Sequence, residues 1–518
     1  MKKVLISCAI ALLCTMFLQA QEQFKCGVGL AEGAMIKQHL MNNRQLYSRQ
    51  EVAGLMASRT TTYVPITIHN AANTSGEGRT EVDVILNSIC GLNAIYADQN
   101  IQFYIYGQII NMTSNALDAN SNTFQAKLEM QQQKVPNTLN IYIGRSTYYP
   151  ASGYLSYYDP NGDFVFLQQP MLSSTAKTEA HEIAHYFQIP HTFYGWEGED
   201  AEVLYNGVRA PIMVNGEYTE LVTRGAGANC AVAADGFCDT EADYHSTAAI
   251  QICNFTPATL DTTGATLDPD EGNIMSYYND MCQTGFSQEQ KTAIAVDVAA
   301  TTWVSTTPPS SATVTGVASA TAPMNNGLAS IAGSTLRLDW SNVPGATWYY
   351  LEVYGTKLPG FWVPDYTNVI FKGLVTSGNS HYDLSTAGLT VGTHYAWRVK
   401  ALNQYSTCAA VSAFNKFETN TTTAIKDLSI EKQMNLKVNN NPITATDIPL
   451  AIYTAEELVG SIRIYAMNGK EMIAITKQTI HQGDNLIQIP AGDIPNGMYV
   501  AVVATERGAV QQKFVIQR

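Results

Sequence analysis

Charge is scarce in this sequence. Only 14% of its 518 residues are Asp, Glu, Lys or Arg, and 30 basic residues face 44 acidic ones. The formal charge of -14 repels a phosphate backbone, which argues against nucleic acid as a partner. Beyond the N-terminus no apolar run reaches the roughly eighteen residues of a membrane span, so no transmembrane helix is expected there. Gly (37) and Pro (19) are present in ordinary amounts, which excludes collagen-like and wholly disordered chains. The cysteines lack paired Cys-x-x-Cys spacing. The length is too great for a single hydrophobic core and predicts about three or four domains.

The N-terminus has the form of an address. Lys2 and Lys3 precede the mostly apolar run Val4–Leu18, followed by Gln19 and Ala20. A basic start, an apolar middle and a small residue at the cut predict a secretory signal peptide over 1–20. Export implies an oxidising destination in which disulfides persist. Seven cysteines follow the leader: Cys26, Cys90, Cys230, Cys238, Cys253, Cys282 and Cys408. An odd number leaves at least one without an intrachain partner. The four between 230 and 282 are expected to form two bridges, and their spacing leaves all three pairings open.

Residues 21–59 are polar and mildly helical. Thr60–His69 alternates as a strand does, and Val82, Ile85, Leu86, Ile89, Leu92 and Ile95 recur at helical spacing. Ile101–Ile110 and Leu139–Ile143 read as further strands, giving a mixed α/β unit over 60–303. A Pro-, Ser- and Thr-rich linker is expected over 304–325. From 326 the pattern is β throughout, with Leu336, Leu338 and Trp340, then Tyr349, Leu351 and Val353, then Tyr395, Trp397 and Val399 alternating as in a sandwich. A polar break near 420 opens a second all-β unit over 421–518.

The chemistry concentrates at His181-Glu182-Ile183-Ala184-His185, with His191 six residues on. On a helix, His181 and His185 project from one face. Two neutral imidazoles there can hold zinc while Glu182 takes a proton from water. Pro190 ends the helix and lets the chain bring His191 in as a third ligand. Three protein ligands leave a position open, as catalytic zinc sites do.

This run resembles the zinc-binding motif of the metzincin peptidases, and its surroundings resemble their pappalysin branch. Asn273-Ile274-Met275-Ser276-Tyr277 is similar to the Met-turn. The resemblance implies that Met275 lies beneath the metal and that Tyr277 assists the transition state. Asn100 to Phe103, Leu139 to Tyr142, Gly153-Tyr154-Leu155, His191-Thr192-Phe193, Asp235 to Thr240, and Phe286 with Gln288 to Gln290 extend it over most of 60–300. By order it implies disulfides Cys230–Cys253 and Cys238–Cys282. Metzincins place Gly where this chain has Gln188, in a turn of positive φ where a side chain costs about 1 kcal/mol. Bacterial pappalysins carry a pro-segment cysteine that ligates the zinc and blocks water. Cys26 resembles it, with Arg59 as a processing point; the alternatives are a disulfide with Cys90 or Cys408, or an idle thiol. Calcium is common in this family, and Asp235, Asp239, Glu241, Asp243, Asp268, Asp270 and Glu271 offer hard oxygen ligands for it.

Residues 326–420 resemble a fibronectin type III domain through Trp340 and Tyr395-Ala396-Trp397-Arg398-Val399. The last stretch resembles the C-terminal sorting domain of type IX secretion cargo, through Asn440-Asn441-Pro442, Tyr465 to Lys470, Ile494 to Tyr499 and Lys513-Phe514-Val515. That resemblance implies the type IX machinery as a partner and export across the outer membrane. The whole predicts a secreted zinc endopeptidase acting on proteins or peptides. A non-catalytic surface binding or adhesion protein that retains a zinc site is the alternative.

Overall fold

The computed structural model describes residues 26–518 apart from 48–50, 53, 55–59, 146–155, 247–252, 254–257, 310–312, 358–362, 377, 422–433 and 506–507. The expected leader, Arg59 and Gly153-Tyr154-Leu155 lie outside the described residues.

The N-terminal unit begins with helix α1 (Leu30–Leu46), which buries Gly33, Ile36 and Leu40 along one face. Strand β1 (Thr62–Ala72) is buried over nearly its whole length, as a strand covered on both faces must be. Helix α2 (Val82–Tyr96) follows, its buried Ile85, Leu86, Ile89 and Leu92 matching the expected periodicity. The single strand expected over 101–110 is two, β2 (Ile101–Ile105) and β3 (Ile110–Thr113), because Gly107 turns between them at φ +70°. After α3 (Asn115–Ala119) and α4 (Phe124–Gln132) come β4 (Leu139–Gly144), β5 (Ser156–Asp159) and β6 (Phe164–Gln168). The sheet order is β2-β1-β4-β6-β5, with β3 also paired to β1. All pairings are parallel except β5 with β6, so β5 is an antiparallel edge. Helix α5 (Thr178–Tyr186) packs beneath β5 and β6. It is followed by α6 (Ala201–Tyr205), the hairpin β7 (Met213–Val214) and β8 (Glu217–Tyr218), and α7 (Gln288–Ala300), which starts in a capping box at Ser287.

A β-sandwich follows. Five strands, β10 (Gly327–Ser330), β16 (Asn415–Asn420), β15 (His394–Leu402), β12 (Trp348–Thr356) and β13 (Pro364–Val375), face three: β14 (His381–Ser385), β11 (Thr335–Trp340) and β9 (Ala320–Ala322). Trp340, Tyr349, Leu351, Tyr395 and Trp397 meet in its core. Strand β9 lies inside the stretch expected as linker, because Ala320 and Ala322 pair with Trp340 and Asp339. The final unit has β17 (Met434–Val438), β18 (Asp447–Thr454) and β21 (Gly483–Pro490) in one sheet. Its other sheet holds β20 (Glu471–Ile480), β19 (Leu458–Ala466), β22 (Gly497–Thr505) and β23 (Gly508–Ile516), around a separate apolar core.

The first sandwich is fastened to the N-terminal unit. Cys90 on α2 is disulfide-bonded to Cys408, Ile105 N donates to Gln404 O at 2.9 Å, and Trp348, Tyr350 and Leu402 enter the N-terminal core. The other two bridges are Cys230–Cys238 and Cys253–Cys282. This corrects the pairing of Cys230 with Cys253 and Cys238 with Cys282. The chain doubles back through Ala234 (φ +37°) and Gly236 (φ +83°), bringing the Cα atoms of Cys230 and Cys238 to 5.1 Å, within reach of a bridge.

Candidate metal centre

Helix α5 carries His181, Glu182 and His185, all fully buried. Its end is a Schellman turn: Ile189 N donates to Ala184 O and Gln188 N to His185 O. Gln188 occupies the left-handed position with φ +64°, so the conformation that favours glycine is adopted despite the side chain. Its amide donates to Tyr186 O at 2.9 Å, a local bond that only this side chain supplies. The turn places Ile189 O 2.7 Å from His185 Nδ1, and Pro190 then leads the chain to His191.

The three imidazoles converge. His185 Nε2 lies 3.1 Å from His181 Nε2 and 3.0 Å from His191 Nε2. Each ring turns its Nδ1 outward, His181 to Ile274 O at 2.7 Å and His191 to Glu197 Oε1 at 3.2 Å. With Nδ1 donating in each ring, three Nε2 lone pairs point at one spot, a mutually repelling arrangement unless a cation sits there. Burial pushes His181 down to about 4; burial and then the charge of His181 push His185 well below its ordinary value, and burial and then the charges of His185 and His181 do the same to His191. All three are therefore neutral at pH 7, the ligand form. The donor set fits zinc.

Cys26 completes the group: its Sγ and one nitrogen from each histidine all lie within 4.8 Å of one another. It is the free cysteine among the described residues, because Cys90 and Cys408 pair with each other. Its thiol donates to Glu182 Oε2 at 3.3 Å, its carbonyl accepts from Tyr277 Oη at 3.2 Å, and Gly27 N donates to Ser156 O on the edge strand β5 at 2.7 Å. Burial, then the Glu182 charge, pushes this thiol well up. Burial likewise pushes Glu182 up to about 8.

Met275 is fully buried in the loop that serves the site. Its carbonyl accepts from Thr192 N, while its neighbour Ile274 orients His181. Asp243 clamps that loop to the His191 loop, accepting at 2.7 Å from both Thr192 Oγ1 and Ser276 Oγ. The ring of Tyr277 is 5.0 Å from that of His191. Asp243 and Glu197 work at the site in ways the sequence did not signal, since neither follows a motif or a periodicity. Three of the other acidic residues hold local structure. Asp239 accepts from Ser287 Oγ and Glu289 N at the start of α7, Asp235 from Phe237 N, and Asp270 from Gly272 N. Among the described residues they form no second metal-ligating group.

Residues 438–517 match the family model of the secretion system C-terminal sorting domain. This type IX domain marks the chain for export across the outer membrane, to a secreted or cell-surface location. Over 193 residues, 33% of its length, the chain is 28% identical to an extracellular metalloprotease of Neurospora crassa, and it spans 65% of that relative. Two solved structures are similar to part of it, at low TM-scores. The BSP domain of a biofilm-associated protein has a TM-score of 0.15 and 9% identity, over 38% of this chain and 29% of that one. An α-L-rhamnosidase from Dictyoglumus thermophilum has a TM-score of 0.16 and 12% identity, over 39% and 29%. At such scores neither bears on fold or activity. No described helix is long and apolar enough to cross a membrane.

Proposed function

We propose that this chain is a zinc-dependent endopeptidase of the pappalysin-type metzincins, exported as a latent precursor. On this proposal residues 21–59 are the pro-segment, 60–303 the peptidase unit, 326–420 a fibronectin type III-like module and 421–518 the sorting domain. The carrying observation is the placement of Glu182. A buried carboxylate beside three converging imidazoles is what water-activating chemistry requires, whereas a site that only binds metal has no use for it.

His181, His185 and His191 would hold the metal, with Met275 buried in the supporting loop. Zinc bound there would acidify a water molecule and polarise the scissile carbonyl. Glu182 takes a proton on a carboxylate oxygen and returns it to the leaving amine nitrogen. Tyr277 Oη, which meets the Cys26 carbonyl in the precursor, donates instead to the developing oxyanion, an interaction that counts only in the transition state. Cys26 opposes all of this at once, since it touches Glu182 and Tyr277 while its neighbour Gly27 occupies the edge strand. As a thiolate it would fill the open coordination position.

The test is the Glu182→Ala variant of the processed protein, measured for zinc content and for cleavage of a random peptide library. Retained zinc with cleavage reduced by about 10² or more is expected. Undiminished cleavage would refute the assignment. Zinc without cleavage in both the parent protein and a Cys26→Ala variant would favour a non-catalytic binding protein.

A further inference from the structure

Two of the three imidazoles are oriented by groups that no substitution removes, the backbone carbonyls of Ile274 and Ile189, each 2.7 Å from its Nδ1. His191 differs. Its Nδ1 faces a carboxylate, Glu197 Oε1, at 3.2 Å. The carboxylate is itself fixed, because Gly195 N donates to Oε2 at 2.8 Å, and its side chain is 9% exposed. The tight aromatic turns Tyr194 N to His191 O and Trp196 N to Phe193 O carry the chain from ligand to carboxylate. The His191 ring is stacked on Phe193 at 4.6 Å, so it is held from its face by an aromatic ring and from its edge by a carboxyl oxygen.

We propose that Glu197 is the positioning residue of the third metal ligand, an inference that rests on the zinc assignment made above. By accepting from Nδ1–H it fixes the tautomer that leaves the Nε2 lone pair for the metal. An ionised carboxyl there also strengthens that nitrogen as a donor, more than a carbonyl does. The same carboxylate lies under the pro-segment helix. Gly33 of α1 packs on Tyr194, and a Cβ at Gly33 would stand 3.9 Å from Glu197 Oε1. Tyr194 Oη and Lys37 Nζ both reach Glu217 just beyond, at 3.3 and 3.2 Å. Helix α1 thus shields Glu197 from water while it is docked, and its departure alters the surroundings of the one ligand whose orienting partner is a side chain.

The test uses the full-length protein loaded with zinc or, separately, cobalt(II). Glu197→Ala and Glu197→Gln are compared with Glu217→Gln, a neighbouring carboxylate that touches Tyr194 and Lys37 and none of the three histidines. Zinc release to a chelator and the cobalt d–d absorption are read in each. Glu197→Ala is expected to release zinc about 10- to 100-fold faster and to shift the cobalt bands. Glu197→Gln is expected to fall between, because its amide offers one acceptor where both His191 and Gly195 need one. Glu217→Gln should match the parent in both readouts. Parental release and spectrum in Glu197→Ala, or in Glu197→Gln should the alanine variant not fold, would overturn the proposal, as would an equal effect of Glu217→Gln. A parent that takes up no metal would overturn the zinc assignment as well, so the two failures are distinct.

Discussion

On the proposal that Cys26 is a latch, Gly27→Ala should open it without touching its thiol. Gly27 N donates to Ser156 O at 2.7 Å, and a Cβ added there would stand 2.8 Å from Tyr157 Cβ and 3.3 Å from Ser156 O. Neither neighbour can yield cheaply. Tyr157 is buried, its hydroxyl donates to Ser121 O at 2.8 Å, and its ring is stacked on Phe166 at 5.6 Å. Inserting a methyl into such a contact costs about 1–3 kcal/mol. If that cost falls on the docked state of Cys26, its docking equilibrium weakens by about 5- to 150-fold. The helix need not follow. Lys37 still pairs with Glu217, Asn43 with Asp297 at 2.8 Å and Arg44 with Gly236 O at 2.6 Å. The assay is maleimide labelling of protein lacking residues 1–20, in which Cys26 is the free thiol among the described residues. Labelling should accelerate by that factor in the variant, while far-UV circular dichroism stays unchanged. Labelling at the parental rate would show that Gly27 does not gate the latch and that the tight contact with Tyr157 is absorbed elsewhere.

The remaining expectations concern stability. The Cys90–Cys408 bridge spans 318 residues, so Cys90→Ser with Cys408→Ser should lower unfolding free energy by about 2–5 kcal/mol, read by denaturant titration; a loss below about 1 kcal/mol would mean that the apolar interface alone holds the sandwich. Burial, then the charge of Asp235, raises the Glu220 carboxyl, and burial raises Asp235. The folded protein therefore keeps protons that the unfolded chain releases near pH 4. Their contribution is full below that pH and is lost as pH rises through the raised folded values. Thermal midpoints should fall from pH 5 to 9 and fall less in Glu220→Gln, whereas parallel profiles would exclude the pair as the cause.

Much of the site was legible because its chemistry is local in sequence. His181 and His185 share a helix face with Glu182 next to His181 in the chain, and the turn at Gln188, followed by Pro190, brings His191 round. The positive φ at Gln188 was foreseeable from the turn this requires. What supports the ligands was not legible. Ile274 and Ile189 act through carbonyls, which every residue has, so their identities say nothing. Asp243 reads as one acid in an acidic stretch until folding sets it between Thr192 and Ser276. The cysteines erred for a related reason: order along the chain was carried over from a resemblance, whereas the tight turn at Ala234 and Gly236 decides which sulfurs meet.

Strand β12 shows how a true periodicity can still conceal an interface. Alternation of Tyr349, Leu351 and Val353 marks one face, and those three residues do fill the sandwich core. The intervening Trp348 and Tyr350 are too large and apolar to face water over a whole strand, and the strand is buried from Trp348 to Gly355. A run apolar on both faces demands cover on both. Here Trp348 and Tyr350, with Leu402, pack into the core of the N-terminal unit, beside the helix that Cys90 ties to Cys408. That same helix supports the metal site from behind, since Ser88 bonds to Glu179 and Tyr96 Oη donates to Ala180 O at 3.0 Å. A module held this way reaches the helix of His181 and His185 through one intervening helix. It is thereby a buttress of the site, and a role in adhesion would have to use the faces that remain exposed.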